Sequence, residues 1–206
     1  MSHTPLQQPQ QAPRHHDEHI LVVKRSHLFF NGDWHGLAEI NFDHYLHIID
    51  HKKEFHPRSL METNPVYKQI IPYLVFTHDD KFFLMQRCAQ ASETRLQNKL
   101  TLGIGGHVRQ EDLSENSLFA WAKREFHEEV DYAGNLTVQP LGIINDDSND
   151  VGKVHIGFVL LLKGDSPEIS IKSELKNGTL VSLHECINQK NYMESWSQFI
   201  VDFLVQ

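Results

Sequence analysis

Two apolar runs, Gln69 to Phe76 and Lys81 to Cys88, flank Thr77-His78-Asp79-Asp80, and this switch from apolar to short polar side chains and back predicts a β-hairpin. Upstream, His19 to Phe30 reads as a strand closed by the turn residues Asn31-Gly32-Asp33 before Trp34. Phe42 to His51 has the pattern of a short helix, and Pro57 and Pro65 punctuate a connecting region, Phe55 to Val66. Leu100 to Ile104 is a further strand that stops at Gly105-Gly106. The side chains of a capping box in Asp112-Leu113-Ser114-Glu115 predict a helix that starts near Asp112 or Ser114 and ends near Val130.

Strands Leu136 to Ile144 and Val154 to Leu162 follow around an acidic loop, Asn145 to Asp150. The second of them is apolar at nearly every position, as a strand covered on both faces must be. Glu168 to Ser173 and Thr179 to Leu183 read as shorter strands around Lys176-Asn177-Gly178. A closing helix over Asn188 to Val205 repeats Met193, Trp196, Ile200, Phe203 and Leu204 at helical spacing. Strands mixed with two long helices, and no internal repeats, predict an α/β fold: an α/β/α sandwich with a mixed β-sheet.

Composition narrows this picture. A chain of 206 residues that is 40% hydrophobic fits one domain, here residues 20–206, after a Gln-, Pro- and His-rich segment 1–19 that reads as a disordered tail. The net charge of -8 argues against a nucleic-acid partner. No apolar run is long enough to span a membrane. Cys88 and Cys186 stand far apart without a CxxC spacing, which fits a reduced, cytoplasmic setting without disulfides or a thiolate zinc site. The 15 histidines are scattered, with His15-His16 the only adjacent pair, and read as surface or half-buried residues.

The chemistry gathers in Arg124-Glu125-Phe126-His127-Glu128-Glu129. With about 100° of rotation per residue, Glu128 falls about 60° to one side of Glu125 and Glu129 about 40° to the other, bordering the apolar arc of Leu118, Phe119, Ala122 and Phe126. Three carboxylates at such spacing repel one another, and partial burial aggravates this unless a cation lies among them. Arg124 offsets part of the repulsion; a hard divalent ion, magnesium or manganese, offsets the rest.

Upstream of this helix, Thr101-Leu102-Gly103-Ile104-Gly105-Gly106-His107-Val108 runs from a strand into a double glycine. Together these segments resemble the Nudix hydrolases, whose signature is Gly, five residues, Glu, seven residues, Arg-Glu-apolar-any-Glu-Glu-any-Gly-apolar. Gly105 and Gly106 match its start, and Arg124, Glu125, Phe126, Glu128 and Glu129 match its second half. Between Gly106 and Arg124 there are about four residues more than the signature holds, leaving Asp112 and Glu115 as candidates for its first Glu, and Asp131 stands at its closing Gly. The element order from Tyr67 to Val205 is similar to the whole Nudix fold. Phe55-His56-Pro57-Arg58 with Met61-Glu62, then Tyr67-Lys68-Gln69, resembles a branch known as predicted phosphoesterases.

The resemblance implies a metal-dependent hydrolase that cleaves a phosphoanhydride bond in a nucleoside diphosphate-linked or similar small metabolite; the alternative is a catalytically silent module that binds a nucleotide. It makes Glu125, Glu128 and Glu129 metal ligands with the Gly105 carbonyl, gives Glu128 and Glu129 catalytic roles, sets Arg124 to orient a glutamate, and marks Glu174 as the candidate base from a later loop. Arg58, Lys68, Arg87 and Arg95 are candidates for phosphate contacts, and a homodimer is the expected assembly if any. Trp34 and Tyr73 are read as core before base-stacking residues, and Asp146, Asp147 and Asp150 as a solvated loop.

Overall fold

The computed structural model describes residues 17–87, 99–115, 118–172 and 175–206. The chain opens with β1 (His19–Lys24), a single turn α1 (Arg25–Leu28), β2 (Gly36–Ala38) and α2 (Phe42–Lys52). Asn41 caps α2 by accepting from the His44 amide at 3.0 Å. β3 (Glu54–Pro57) and α3 (Arg58–Met61) lead into the expected hairpin, β4 (Tyr67–His78) and β5 (Lys81–Arg87). Then come β6 (Leu100–Thr101), β7 (Gly103–Gly105), a 3-10 turn at Gln110–Glu115, α4 (Leu118–Glu129), β8 (Val130–Tyr132) and β9 (Leu136–Asn145). The chain finishes through α5 (Asp150–Val154), β10 (His155–Gly164), β11 (Ile169–Ile171), β12 (Leu175–Ser182), α6 (Leu183–Gln189) and α7 (Ser195–Leu204).

The main sheet runs β12-β5-β4-β10-β9-β2, with β1 and β7 also paired to β4. It is mixed because β10 lies parallel to β4, His155 opposite Gln69, while β9 returns antiparallel along β10. Alternation along the two central strands makes the layers. Ile70, Leu74 and Phe76 of β4 with Ile156, Phe158, Leu160 and Leu162 of β10 join Trp121, Ala122 and Phe126 of α4 and Phe42 and Ile49 of α2. Tyr73, Val75 and Val159 point the other way, onto Cys186 of α6 and Ile200 and Val201 of α7. Each such fully buried side chain contributes about 1.5–3 kcal/mol of transfer free energy, so the helices are fastened to the sheet from both sides in an α/β/α sandwich.

Several elements differ from the expectation. The first strand ends at Lys24, where Arg25 enters α1 and its guanidinium bonds Asp147 at 2.9 Å and Asp33 at 2.8 Å. The acidic helix starts at Leu118, because the Asp112 carboxylate accepts from the Arg109 amide at 2.8 Å and thereby closes the preceding 3-10 turn. Asp131 does not turn left-handed: the positive φ values among described non-glycine residues are at Asp79 and Asn177, and the chain passes directly from α4 into β8. There Lys172 takes over part of the capping, its amide donating to the Glu129 carbonyl at 2.9 Å and its ammonium to that of His127 at 2.7 Å. Lys176-Asn177-Gly178 forms a bulge within β12, with Asn177 at φ 49°. The single closing helix is broken in two, since Glu194 leaves the helical path to cap α7, accepting from the amides of Trp196 at 2.9 Å and Ser197 at 3.1 Å. The expected tail falls almost wholly outside the described residues.

Candidate active site

A cleft of about 830 Å³ opens where β4 and β10 begin. Its lining includes Gly105 and Gly106 with Glu125, Glu128 and Glu129 of α4, and also Arg58, Glu62, His107 and His155. Tyr73 and Glu194 line it as well. The Tyr73 hydroxyl donates to Glu194, and burial, then the Glu194 charge, hold its phenol well above the ordinary value. Tyr73 is therefore core, as expected, and so is Trp34, whose indole donates to the Ile143 carbonyl at 3.2 Å.

The glycines matter by what they leave out. A Cβ on Gly106 would fall 2.3 Å from Glu125 Oε1, so the carboxylate occupies the space a side chain there would fill. Glu125 is thus pressed against bare backbone. Burial first, and the charge of Glu128 next, push its carboxyl up to about 7, with Arg124 offsetting part of the effect and Glu129 adding to it. This is the electrostatic signature of a place that calls for positive charge.

Arg124 bridges two carboxylates. Its Nη1 donates to Glu128 Oε1 at 2.7 Å and its Nη2 lies 2.8 Å from Asp112 Oδ1. Of the two candidates for the signature's first Glu, Asp112 contacts Arg124, is nearly buried and also accepts from the Trp121 indole at 3.1 Å, whereas the side chain of Glu115 lies outside the described ones. The stretch between Gly106 and Arg124 includes the 3-10 turn at Gln110–Glu115.

The expected cations disperse. Arg58 lines the cleft and donates to Glu62 at 3.0 Å. Lys68 does not reach it: the side chain is fully buried, its ammonium donating to Asp147 at 2.8 Å and the Gly152 carbonyl at 2.7 Å, so it serves the core and not a phosphate. Arg87 closes β5 opposite Leu175, and its side chain lies outside the described ones. Arg95 and Glu174 lie outside the described residues. Arg109 and Lys99 line the cleft instead, unmarked in the sequence because only the fold brings their loops there.

Of the acidic loop expected to be solvated, Asp150 is exposed, whereas Asp146 and Asp147 are tied into the fold. Asp146 is buried, accepting from Asn149 at 2.8 Å and from Ser195 at 2.9 Å, and so ties the loop to α7. Burial alone would raise the carboxyl of Asp147, but hydrogen bonds from Arg25 and Lys68 outweigh it and hold the group well below the carboxylate range.

Comparison with known proteins places this geometry. No family model matches the chain. The crystal structure of Tm1382, assigned to the Nudix hydrolases, superposes with a TM-score of 0.79 at 30% identity, covering 91% of this chain and 98% of that one. The chain belongs to the Nudix hydrolase family. Protein YmaB of Bacillus subtilis is 38% identical over 159 residues, 71% of this chain and 76% of its own. The Nudix domain of Shewanella oneidensis NrtR, solved with ADP ribose, shares the fold at a TM-score of 0.53 and 12% identity, over 67% of this chain and 86% of that one. In this Nudix protein the second half of the signature lies on α4 and the glycines end β7, with Gly106 against Glu125.

Two histidines of the cleft lining escaped the sequence reading. His107 Nε2 lies 3.3 Å from His155 Nε2 and 2.7 Å from Gln69 Oε1. Burial, then the positive charge of Arg58, hold His107 well below the ordinary imidazole value. The one available signal was a polar residue, His155, heading an otherwise apolar strand. No helix among the described residues is long and apolar enough to cross a membrane.

Proposed function

We propose that this Nudix protein hydrolyses a phosphoanhydride bond in a nucleoside diphosphate-linked or similar small metabolite, with magnesium or manganese held by Glu125, Glu128, Glu129 and the Gly105 carbonyl. The observation that carries the reading is Glu125, its carboxyl raised to about 7 by burial and by Glu128, against a glycine whose missing side chain leaves room for it. A donor set of three carboxylates and a carbonyl suits a hard divalent ion. The chemistry such an ion supplies is polarisation of a diphosphate oxygen and a lowered pKa for the attacking water.

The chain's own part is positioning. Arg124 fixes the Glu128 carboxylate toward the cleft through a charge-assisted bond and is itself anchored by Asp112. Arg58, Arg109 and Lys99 put positive charge around the cleft of a protein whose net charge is -8, which favours a compact anionic substrate over a polyanionic strand. Glu174 remains the proposed base.

The test is a screen of diphosphate-linked compounds, ADP ribose first, with magnesium or manganese at slightly alkaline pH, the products identified by phosphorus NMR and the attacked phosphorus located with 18O-water. Turnover is expected. Binding of a nucleotide without turnover would instead establish the silent module.

A further inference from the structure

We propose a second cation site in this cleft, formed by His107, His155 and Glu62 with the Gln69 amide oxygen beside them, and selective for a borderline divalent ion of the zinc type. The argument begins with protons. His155 Nδ1 donates to the Val151 carbonyl at 2.7 Å, so in the neutral ring Nε2 carries a lone pair, and that lone pair faces His107 Nε2 at 3.3 Å. Gln69 Oε1, a pure acceptor, faces the same nitrogen at 2.7 Å. The Glu62 carboxylate joins them: one ligand atom from each of Glu62, His107 and His155 lies within 4.8 Å of the others. Two acceptors thus converge on one imidazole nitrogen, which has at most one proton to share, with a carboxylate close by. A cation satisfies all of them at once.

The spacing fits. Two nitrogens bound at about 2.0–2.1 Å to one tetrahedral ion stand about 3.3 Å apart, which is the distance between the two Nε2 atoms. The Glu62 carboxylate, with a ligand atom within 4.8 Å of both histidines, can complete the set by rotation of its unbranched side chain. The surroundings are those of an outer ligand shell: the Val151 carbonyl fixes the His155 tautomer, and Arg58 donates to Glu62 Oε1 at 3.0 Å. Gln69 supplies an independent sign, since it is fully buried and its Nε2 has no hydrogen-bond partner. An amide so placed is held for the sake of its oxygen. Arg58 and Lys68 are adverse charges; Glu18, 3.6 Å from Arg58, and Asp147, 2.8 Å from Lys68, offset them.

Imidazole nitrogens favour zinc and its transition-series neighbours over magnesium, whereas the carboxylate trio that lines the same cleft has the reverse preference. The two clusters therefore sort cations by hardness. Because the site opens to the cleft, an ion there keeps a position for water or for a phosphate oxygen.

Zinc titrated calorimetrically into the full chain in saturating magnesium tests this independently of hydrolysis. One equivalent is expected to bind despite the magnesium, with affinity lowered about 100-fold or more in His107→Ala and in His155→Ala. It should be unchanged in the Glu128→Gln/Glu129→Gln double variant, which removes the carboxylate pair. The exposed His47 and His51, whose rings lie 4.0 Å apart, and the histidines of the first 16 residues are present in every sample and cancel in the comparison. Anomalous scattering at the zinc edge from crystals of the unmodified protein adds a readout that no folding defect affects: a peak between the two Nε2 atoms. Displacement of the zinc by magnesium, its loss in the double glutamine variant, or an anomalous peak only at α4 would each overturn the proposal.

Discussion

Arg124 and Asp112 form an ion pair, Nη2 to Oδ1 at 2.8 Å, between a part-exposed arginine and a nearly buried aspartate, and it joins α4 to the irregular segment before it. In a signature with standard spacing an acid stands a fixed number of residues before this arginine. Here the intervening chain is longer and includes a 3-10 turn, within which Asp112 meets the guanidinium.

Removing that acid should loosen both fold and site. Asp112→Ala strips a partner from Arg124, the Arg109 amide and the Trp121 indole together, and is expected to cost about 3 kcal/mol in urea denaturation. Turnover should fall further than stability alone explains, because Arg124 would no longer hold Glu128. A stability loss below half a kilocalorie would show that the pair is incidental.

Glu128→Gln and Glu129→Gln act on the chemistry without touching the core, since both side chains border the cleft. Each should lower kcat by about 100-fold or more with an unchanged melting temperature. Wild-type rates in either variant would remove the basis of the proposed mechanism.

Gly106→Ala probes the cradle. Its Cβ would stand 2.3 Å from Glu125 Oε1, the far end of a side chain that can swing away, so folding should be little affected while the carboxylate leaves its position. Magnesium affinity measured by calorimetry is expected to drop about tenfold or more. Equal affinity in the variant would separate Glu125 from metal binding.

The raised value of Glu125 gives metal-free stability a definite slope. Its folded value of about 7 lies above the ordinary 4.5, so the folded chain holds this proton more tightly than the unfolded one. The contribution is therefore greatest below about pH 4.5 and lost as pH rises toward 7. In chelator, Glu125→Gln should be more stable than the parent above pH 7 and lose that advantage near pH 4; magnesium should abolish the difference. Parallel curves at all pH values would contradict the assignment.

Asp147 behaves in the opposite sense. Its carboxyl is held low despite partial burial by Arg25 and Lys68, so its contribution is fully present above the unfolded value of about 4 and disappears on acidification. Asp147→Asn leaves the Lys68 ammonium buried against only a carbonyl and an amide, and should cost about 3 kcal/mol at neutral pH. Lys68→Met in the same background should recover part of that loss.

Much of the sheet was legible because the hairpin at Thr77–Asp80 and the all-apolar strand beginning at His155 carry period and turn chemistry locally. The acidic face was equally legible, since Glu125, Glu128 and Glu129 share one helix and their spacing alone sets them together. What the sequence concealed depends on distant pairing. Lys68 looks like any surface cation until the parallel pairing of β4 with β10 buries it beside Gly152. His107 and His155 are 48 positions apart, and only that pairing, with β7 laid on β4, brings their nitrogens within reach. The broken closing helix was hidden for a related reason: Glu194 has unremarkable helix propensity, and its departure is dictated by Tyr73, 121 residues earlier.

That departure ties the end of the polypeptide to its working centre. Glu194 caps α7 with one carboxylate while the same group meets Tyr73 in the lining of the cleft, and Ser195 beside it bonds the loop of Asp146. Residues 194–206 are thus a keystone: deleting them would take Glu194 from the cleft lining, release the loop that leads into His155 and strip Ile200 and Val201 from the core, so a shortened protein is expected to lose fold and activity together.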